Sequence, residues 1–199
     1  MVMAEATNHY FKHLGVSDGL SQVCIPSIYQ DELGAVWLGT TEGLNRYNGK
    51  DVRVFQPSES NHGLTNNEIN ELCGDKNGRM YIRSGNDLIK LDIYTEQFTC
   101  LRQKGVYGLF CKKDTLWVSC ADGIYYYTGQ GTELTFFARV QKGFVGRALY
   151  VDRETVWVVT RKYLVAISRE DPLRQEILLT LDKGNCILGD SSGNIWVGA

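Results

Sequence analysis

The strongest constraint on this chain is a phrase that returns. "DELGAVWLGTTEGLNRYNG" occupies residues 31–49, and "DSSGNIWVGA" occupies residues 190–199. Between them large aromatic residues recur at Trp37, Tyr81, Trp117, Trp157 and Trp196, in steps of 44, 36, 40 and 39 residues. Seven residues after the first four stand Leu44, Leu88, Ile124 and Leu164; ten residues after stand Tyr47, Leu91, Tyr127 and Ile167. All eight are large and apolar. A period near 40 marks a repeat architecture, in which each unit cannot bury its apolar face alone and must stack on its neighbours.

Ahead of the aromatic anchor, three units share D-x-x-G-x-φ-[WY]: "DELGAVW", "DKNGRMY" and "DSSGNIW". An aspartate starts a turn well because its carboxylate accepts hydrogen bonds from backbone N–H groups just ahead. A glycine three residues on takes positive φ and closes the turn into the next strand. Asp31, Asp75 and Asp190, with Gly34, Gly78 and Gly193, therefore read as turn residues rather than acid–base groups. "CKKDTLW" and "VDRETVW", one or two residues shorter, require different turns.

Each unit reads as four short strands. In the first they cover 23–29, 35–39, 44–47 and 51–56, with "TTEG" and Asn-Gly marking turns. The same order recurs at roughly 67–101, 105–137 and 146–179, and "EDPLRQEILLTL" reads as a connection into an outer strand. Four-stranded antiparallel units at this period are blades of a β-propeller. The expected organisation is all-β: blades at 18–57, 62–101, 105–137 and 143–180, the first half of a fifth at 184–199, and an outer strand at 9–14 belonging to a last blade. Four and a half blades imply part of a longer propeller. The alternative is a small closed propeller whose last blade has three strands. The anchors are expected to fill the space between blades. An unfinished array leaves an apolar face uncovered at each end, so self-association through open edges is expected, with 9–14 adding to strands around 184–198.

Composition narrows the function classes. The 199 residues carry a net charge of −2 and no basic run, so nothing favours nucleic acid. No stretch approaches the ~18 apolar residues of a membrane helix. Ala4-Glu5-Ala6 fits a signal-cleavage site but lacks a preceding basic or long apolar segment; an ordinary start fits equally. Six cysteines form no C-x-x-C, and three histidines, two of them at 9 and 13, argue against a metal centre. Cys73 and Cys111 end apolar runs, where a small buried hydrophobe is the plain reading; the even cysteine count permits disulfides without demanding them. "DKNG" lacks the later ligands of a calcium loop, and "GQG" is too short for a nucleotide fingerprint. No cofactor motif and no nucleophile–base pair stands out. In "IYYYTG" at 124–129, strand alternation sets Tyr126 opposite Tyr125 and Tyr127.

The stretch "GLSQVCIPSIYQDELGAVWLGTTEGLNRYNGKDVRVF" resembles the two-component regulator propeller repeat. The first unit matches throughout, at Asp31, Gly34, Trp37, Leu38, Gly39, Thr40, Gly43, Leu44, Arg46, Tyr47 and Phe55. The second has Tyr81 and Arg83 where Trp and Gly are expected. The third keeps Trp117, Gly123 and Tyr127, the fourth little beyond Trp157 and Leu164, and the fifth Asp190, Gly193, Trp196 and Gly198. The resemblance implies the periplasmic sensor of a membrane-anchored hybrid two-component receptor, of the kind found in Bacteroides. In that family the propellers precede an immunoglobulin-like domain, a membrane helix, a histidine kinase, a receiver and a DNA-binding domain, and the ligands are often oligosaccharides. It implies no catalysis by these 199 residues. Two rivals remain: an interaction scaffold, and a propeller glycosidase or lyase, since "SSGNIW" resembles the Asp-box turn of sialidases. Glycan sensing predicts tyrosine or tryptophan exposed at one rim beside Asp, Asn or Arg; scaffolding predicts a broad apolar or charged patch.

Overall fold

A computed structural model of the chain describes residues 12–57 and 63–199. It contains eighteen strands in five antiparallel sheets, each in simple sequence order. The first sheet holds β1 (Ser27–Gln30), β2 (Val36–Thr40), β3 (Gly43–Tyr47) and β4 (Val52–Phe55). The second holds β5 (Ile69–Gly74), β6 (Arg79–Ser84), β7 (Asp87–Asp92) and β8 (Gln97–Arg102). The third holds β9 (Val106–Lys112), β10 (Thr115–Cys120), β11 (Gly123–Tyr127) and β12 (Thr135–Ala138). The fourth holds β13 (Gly146–Val151), β14 (Thr155–Thr160), β15 (Tyr163–Ser168) and β16 (Gln175–Thr180). The fifth has β17 (Cys186–Gly189) and β18 (Ile195–Gly198). This is a β-propeller array. Two short 3₁₀ turns, Val16–Asp18 and Gln141–Gly143, are its helical segments among the described residues.

The apolar pattern behind the repeat is the pattern of burial. Of the eight positions seven and ten residues after the anchors, all but Tyr47 are buried; Tyr47 is half-buried, and its hydroxyl donates to the Gly49 carbonyl at 2.7 Å. The core lies between sheets. Trp37, Leu44 and Phe55 of the first sheet pack against Ile69, Met80, Ile82, Ile89 and Leu91 of the second. Tyr81 and Leu88 meet Val106, Leu109, Leu116 and Val118 of the third. Trp117, Ile124 and Ala138 meet Leu149, Val151, Val156 and Val158 of the fourth. Trp37, Tyr81 and Trp117 thus each sit on their own sheet and are covered by the following one. The tyrosine run obeys strand alternation: Tyr125 and Tyr127 face the cluster shared with the second sheet, and Tyr126 faces the cluster shared with the fourth.

Close approach requires glycine at Gly39, where a Cβ would stand 2.8 Å from Ile69 Cγ2 and 3.0 Å from the Ile69 carbonyl oxygen. Glu71 crosses the next joint, its carboxylate accepting from the Leu109 N–H at 3.1 Å and facing Arg83 at 3.4 Å.

Several expectations need correction. The inner strand of the first sheet begins at Ser27, not residue 23, because Pro26 has no N–H for the ladder. Of the outer strand expected at 9–14, residues 9–11 lie outside the described residues, and 12–14 carry no strand. The fifth sheet has two strands, so it offers no third strand for an outer one to pair with. Among the described residues no N-terminal strand joins it, and the small closed propeller is not formed. Trp196, expected to be buried, is 62% exposed because no sheet covers it on the far side among the described residues. Trp157 is half-buried, having only the two-stranded sheet beyond it. Trp37 and Tyr81 are fully buried, and Trp117 is 5% exposed.

Candidate functional site

The aspartate turns do more than start a strand. In the first unit one carboxylate oxygen of Asp31 accepts from the N–H of Leu33 (3.0 Å) and of Ala35 (2.8 Å). The other accepts the Trp37 indole N–H at 2.8 Å. Asp190 repeats the clasp with Ser192 and Asn194, each at 2.9 Å, and with the Trp196 indole at 3.0 Å. Its carboxyl is held down at about 2 by the Asn194 side chain, the Trp196 indole and the turn N–H groups. Gly34 and Gly193 close these turns at φ +85°.

The second unit keeps the turn at Asp75 and Gly78, the latter at φ +82°. Tyr81 has no indole N–H to offer, and Asp75 pairs instead with the Arg79 guanidinium. In the fourth unit, where the D-x-x-G pattern is missing, Asp152 does the same work. It accepts from Glu154 N and Thr155 N at 2.8 Å each and from the Trp157 indole at 2.6 Å. Burial opposes ionisation of Asp152, yet these bonds hold its carboxyl below the usual range. Sequence reading missed Asp152 because its spacing to tryptophan is five rather than six; an Asp at either spacing is the usable signal. In the third unit the Arg169 guanidinium sits over the Trp117 ring at 5.7 Å. These aspartates are fully engaged as turn acceptors.

Two clefts lie between the third and fourth sheets, at opposite ends of the strands. One, of about 570 Å³, is lined by Lys112, Lys113, Arg153, Arg169 and Trp117. Two of its four cations are committed: Lys112 Nζ donates to the Val151 carbonyl at 2.7 Å, and Arg169 donates to the carbonyls of Asp152 (3.1 Å) and Arg153 (2.9 Å).

The other cleft, of about 410 Å³, is walled by Tyr107, Phe144, Val145, Arg147, Thr160, Arg161 and Lys162. It lies where β9 and β13 begin and where the β14–β15 hairpin turns. Gly108 lets the two sheets close beneath it, since a Cβ there would stand 2.7 Å from the Arg147 carbonyl oxygen. Tyr107 is 37% exposed, and Phe144 stacks on Tyr163 with ring centroids 4.8 Å apart. The side chains of Arg147, Arg161 and Lys162 are exposed and make no hydrogen bond or ion pair among the described residues. An aromatic floor beside uncommitted cations can stack a ring and bind its polar or anionic substituents. Among the described residues, no group of three or more His, Cys, Asp and Glu side chains is placed to hold a metal.

Residues 19–42, which include the Asp31–Trp37 clasp, match the two component regulator propeller family. That match is confined to this one stretch.

The fold agrees with that repeat. The extracellular domain of a B. thetaiotaomicron protein assigned as a hybrid two component system superposes with a TM-score of 0.81 at 23% identity, covering 94% of this chain and 29% of that one. A second B. thetaiotaomicron extracellular domain, assigned as a one component system, gives 0.73 at 22% identity, covering 88% and 28%. The curated "Histidine kinase P4" of Formosa agariphila is 38% identical over 53 residues, which is 27% of this chain and 4% of that protein. The chain spans less than a third of the length of each of these relatives. No helix among its described residues is long and apolar enough to cross a membrane. Of the anchors singled out in the sequence, Trp37, Tyr81 and Trp117 pack between sheets. The open cleft is built from residues that sequence reading did not single out, because it exists only between two sheets.

Proposed function

We propose that this regulator propeller is the periplasmic ligand-sensing part of a membrane-anchored two-component receptor, and that it takes no catalytic part itself. The observation that carries the reading is the regulator repeat at residues 19–42 within a propeller array. The fold likeness to extracellular domains of two-component systems and the match to a histidine kinase support it. The ligand class is a glycan-derived oligosaccharide, received in the cleft of Tyr107, Phe144, Arg147 and Arg161. Tyr107 supplies a partly exposed ring for a sugar face, and the free guanidiniums favour sugars that carry a carboxylate.

Calorimetric titration with neutral and uronic-acid oligosaccharides tests the ligand. The expected outcome is binding of at least one acidic oligosaccharide, weakened roughly tenfold or more by Tyr107→Ala or Arg161→Ala, a loss of ~1.4 kcal/mol. Binding unaffected by both variants would move the site elsewhere, and no binding across both sets would remove the oligosaccharide reading. Purified chain incubated with ATP is expected to take up no phosphate; phosphate transfer would overturn the non-catalytic assignment.

A further inference from the structure

The joints between sheets repeat at one position, and one joint is chemically different. On each inner strand one residue pairs across to the anchor: Tyr29 to Trp37, Cys73 to Tyr81, Phe110 to Trp117, Tyr150 to Trp157. The residue after the equivalent position on the next inner strand is Gly74, Cys111, Val151 and Gly189 in turn. The fold presses these two sets together. Tyr29 lies over Gly74, where an added Cβ would stand 2.1 Å from the phenol oxygen. Tyr150 lies over Gly189, where a Cβ would stand 2.0 Å from the ring. Phe110 packs into the cluster that contains Val151. At the joint between the second and third sheets the same two positions are Cys73 and Cys111, and their sulfur atoms are in contact at 2.8 Å.

We infer that Cys73 and Cys111 form a disulfide that ties the second sheet to the third. The placement does not depend on a flexible loop: both residues lie inside paired strands, on β5 and β9. Both thiols are half-buried beside the apolar cluster of Tyr81, Leu109 and Leu116. Burial, then the hydrogen bond with Cys111, pushes the Cys73 thiol well above its ordinary range. A thiol held protonated is a poor catalytic nucleophile, which fits a structural crosslink rather than an exchanging redox pair.

The chemistry needs a disulfide as oxidant, such as oxidised glutathione. One thiolate attacks a glutathione sulfur and releases the first glutathione thiolate. The other thiolate then attacks the mixed disulfide and releases the second. One sulfur–sulfur bond forms in the protein and one breaks in the reagent; the two cysteines are oxidised and two glutathiones are reduced, taking up the two thiol protons. Closure in the cell rests on the periplasmic reading above, because a disulfide persists in an oxidising compartment. Closure in the tube does not, so the two can fail separately.

The test uses the whole chain in a buffer of excess oxidised over reduced glutathione, followed by alkylation, trypsin and peptide mass spectrometry. Arg79, Arg83, Lys90, Arg102 and Lys104 lie between the two cysteines, so a crosslink joins two separate peptides. The expected product is Cys73 joined to Cys111, with Cys24 and Cys186, the exposed pair, alkylated. The oxidised chain should melt roughly 5–10 °C above the reduced chain, because the crosslink closes a loop of 38 residues. In Cys73→Ala/Cys111→Ala that difference should vanish. Cys73 and Cys111 both recovered alkylated, either one paired with another cysteine, or a crosslinked chain melting no higher than the reduced one would each overturn the assignment. If the double variant does not fold, the peptide map of the natural chain decides alone.

Discussion

The same side-chain clasp occurs at Asp31 and at Asp190, once buried and once in water, and this makes a matched test of what burial contributes. Asp31→Ala removes acceptors from Leu33 N, Ala35 N and the Trp37 indole; Asp190→Ala removes them from Ser192 N, Asn194 N and the Trp196 indole. The three shared bonds are nearly equal in length, and Asp190→Ala also loses a fourth, from the Asn194 side-chain amide at 2.8 Å. The surroundings differ: Asp31 is 4% exposed and Trp37 wholly buried, whereas Trp196 is 62% exposed. At the first site the Ala35 N–H and the indole N–H are left without partner or water, each at roughly 1–3 kcal/mol. A loss of about 3 kcal/mol, or roughly 6–12 °C in Tm for a chain of this size, is expected for Asp31→Ala. At the second site water replaces the lost acceptor, and the melt should stay within error of the natural chain. Urea titrations read by circular dichroism, run on both variants side by side, give the comparison, with the slope checked for constancy. Equal shifts, or a larger shift for Asp190→Ala, would refute the claim that burial sets the value of the clasp.

Three further outcomes are expected. Gly39→Ala should destabilise by roughly 1–3 kcal/mol in the same titration, because its new Cβ meets Ile69 side chain and backbone together. Burial lifts the Glu71 carboxyl to about 7 from its ordinary 4.5, with Arg83 and the Leu109 N–H pulling it partly back. The folded chain therefore holds that proton more tightly than the unfolded chain, so this contribution is complete below about 4.5 and is lost as pH rises through about 7. Glu71→Gln should flatten that slope in Tm across the interval, and an unchanged slope would assign it to another group. Acrylamide should quench a strongly accessible tryptophan component that disappears in Trp196→Phe and persists in Trp37→Phe, since Trp196 is exposed and Trp37 is not.

The repeat was legible because its signal is apolar spacing, and burial between sheets is what that spacing records. Leu44, Leu88, Ile124 and Leu164 are all in the core, as their common offset requires. The turn role of Asp31 was legible for its backbone bonds and not for its indole bond, which depends on how the side chain of Trp37 folds back. Asp152 escaped because the fourth unit shortened the turn by one residue while keeping the bond. Trp196 misled for the opposite reason: its local motif is intact, but its burial depends on a sheet that is not among the described residues. The cleft joins Tyr107 to Arg161, residues brought together by the packing of two sheets, and no local pattern announces such a meeting.

The inter-sheet joint changes what should count as a unit of this protein. Tyr29 answers to Gly74, Cys73 to Cys111, Phe110 to Val151 and Tyr150 to Gly189, so each matched pair spans two repeats and none lies within one. A repeat is therefore free to drift internally while its half of each joint stays bound to a neighbour's choice. Exchange of one whole sheet between related arrays would break two such matches at once, leaving, for example, a tyrosine facing a side chain where it needs glycine. Because the pressing residue stands one position before the receiving one on each strand, the matches overlap along the chain, and every boundary from residue 29 to residue 189 splits at least one of them. What must be inherited together is the run of matched joints, not any single blade.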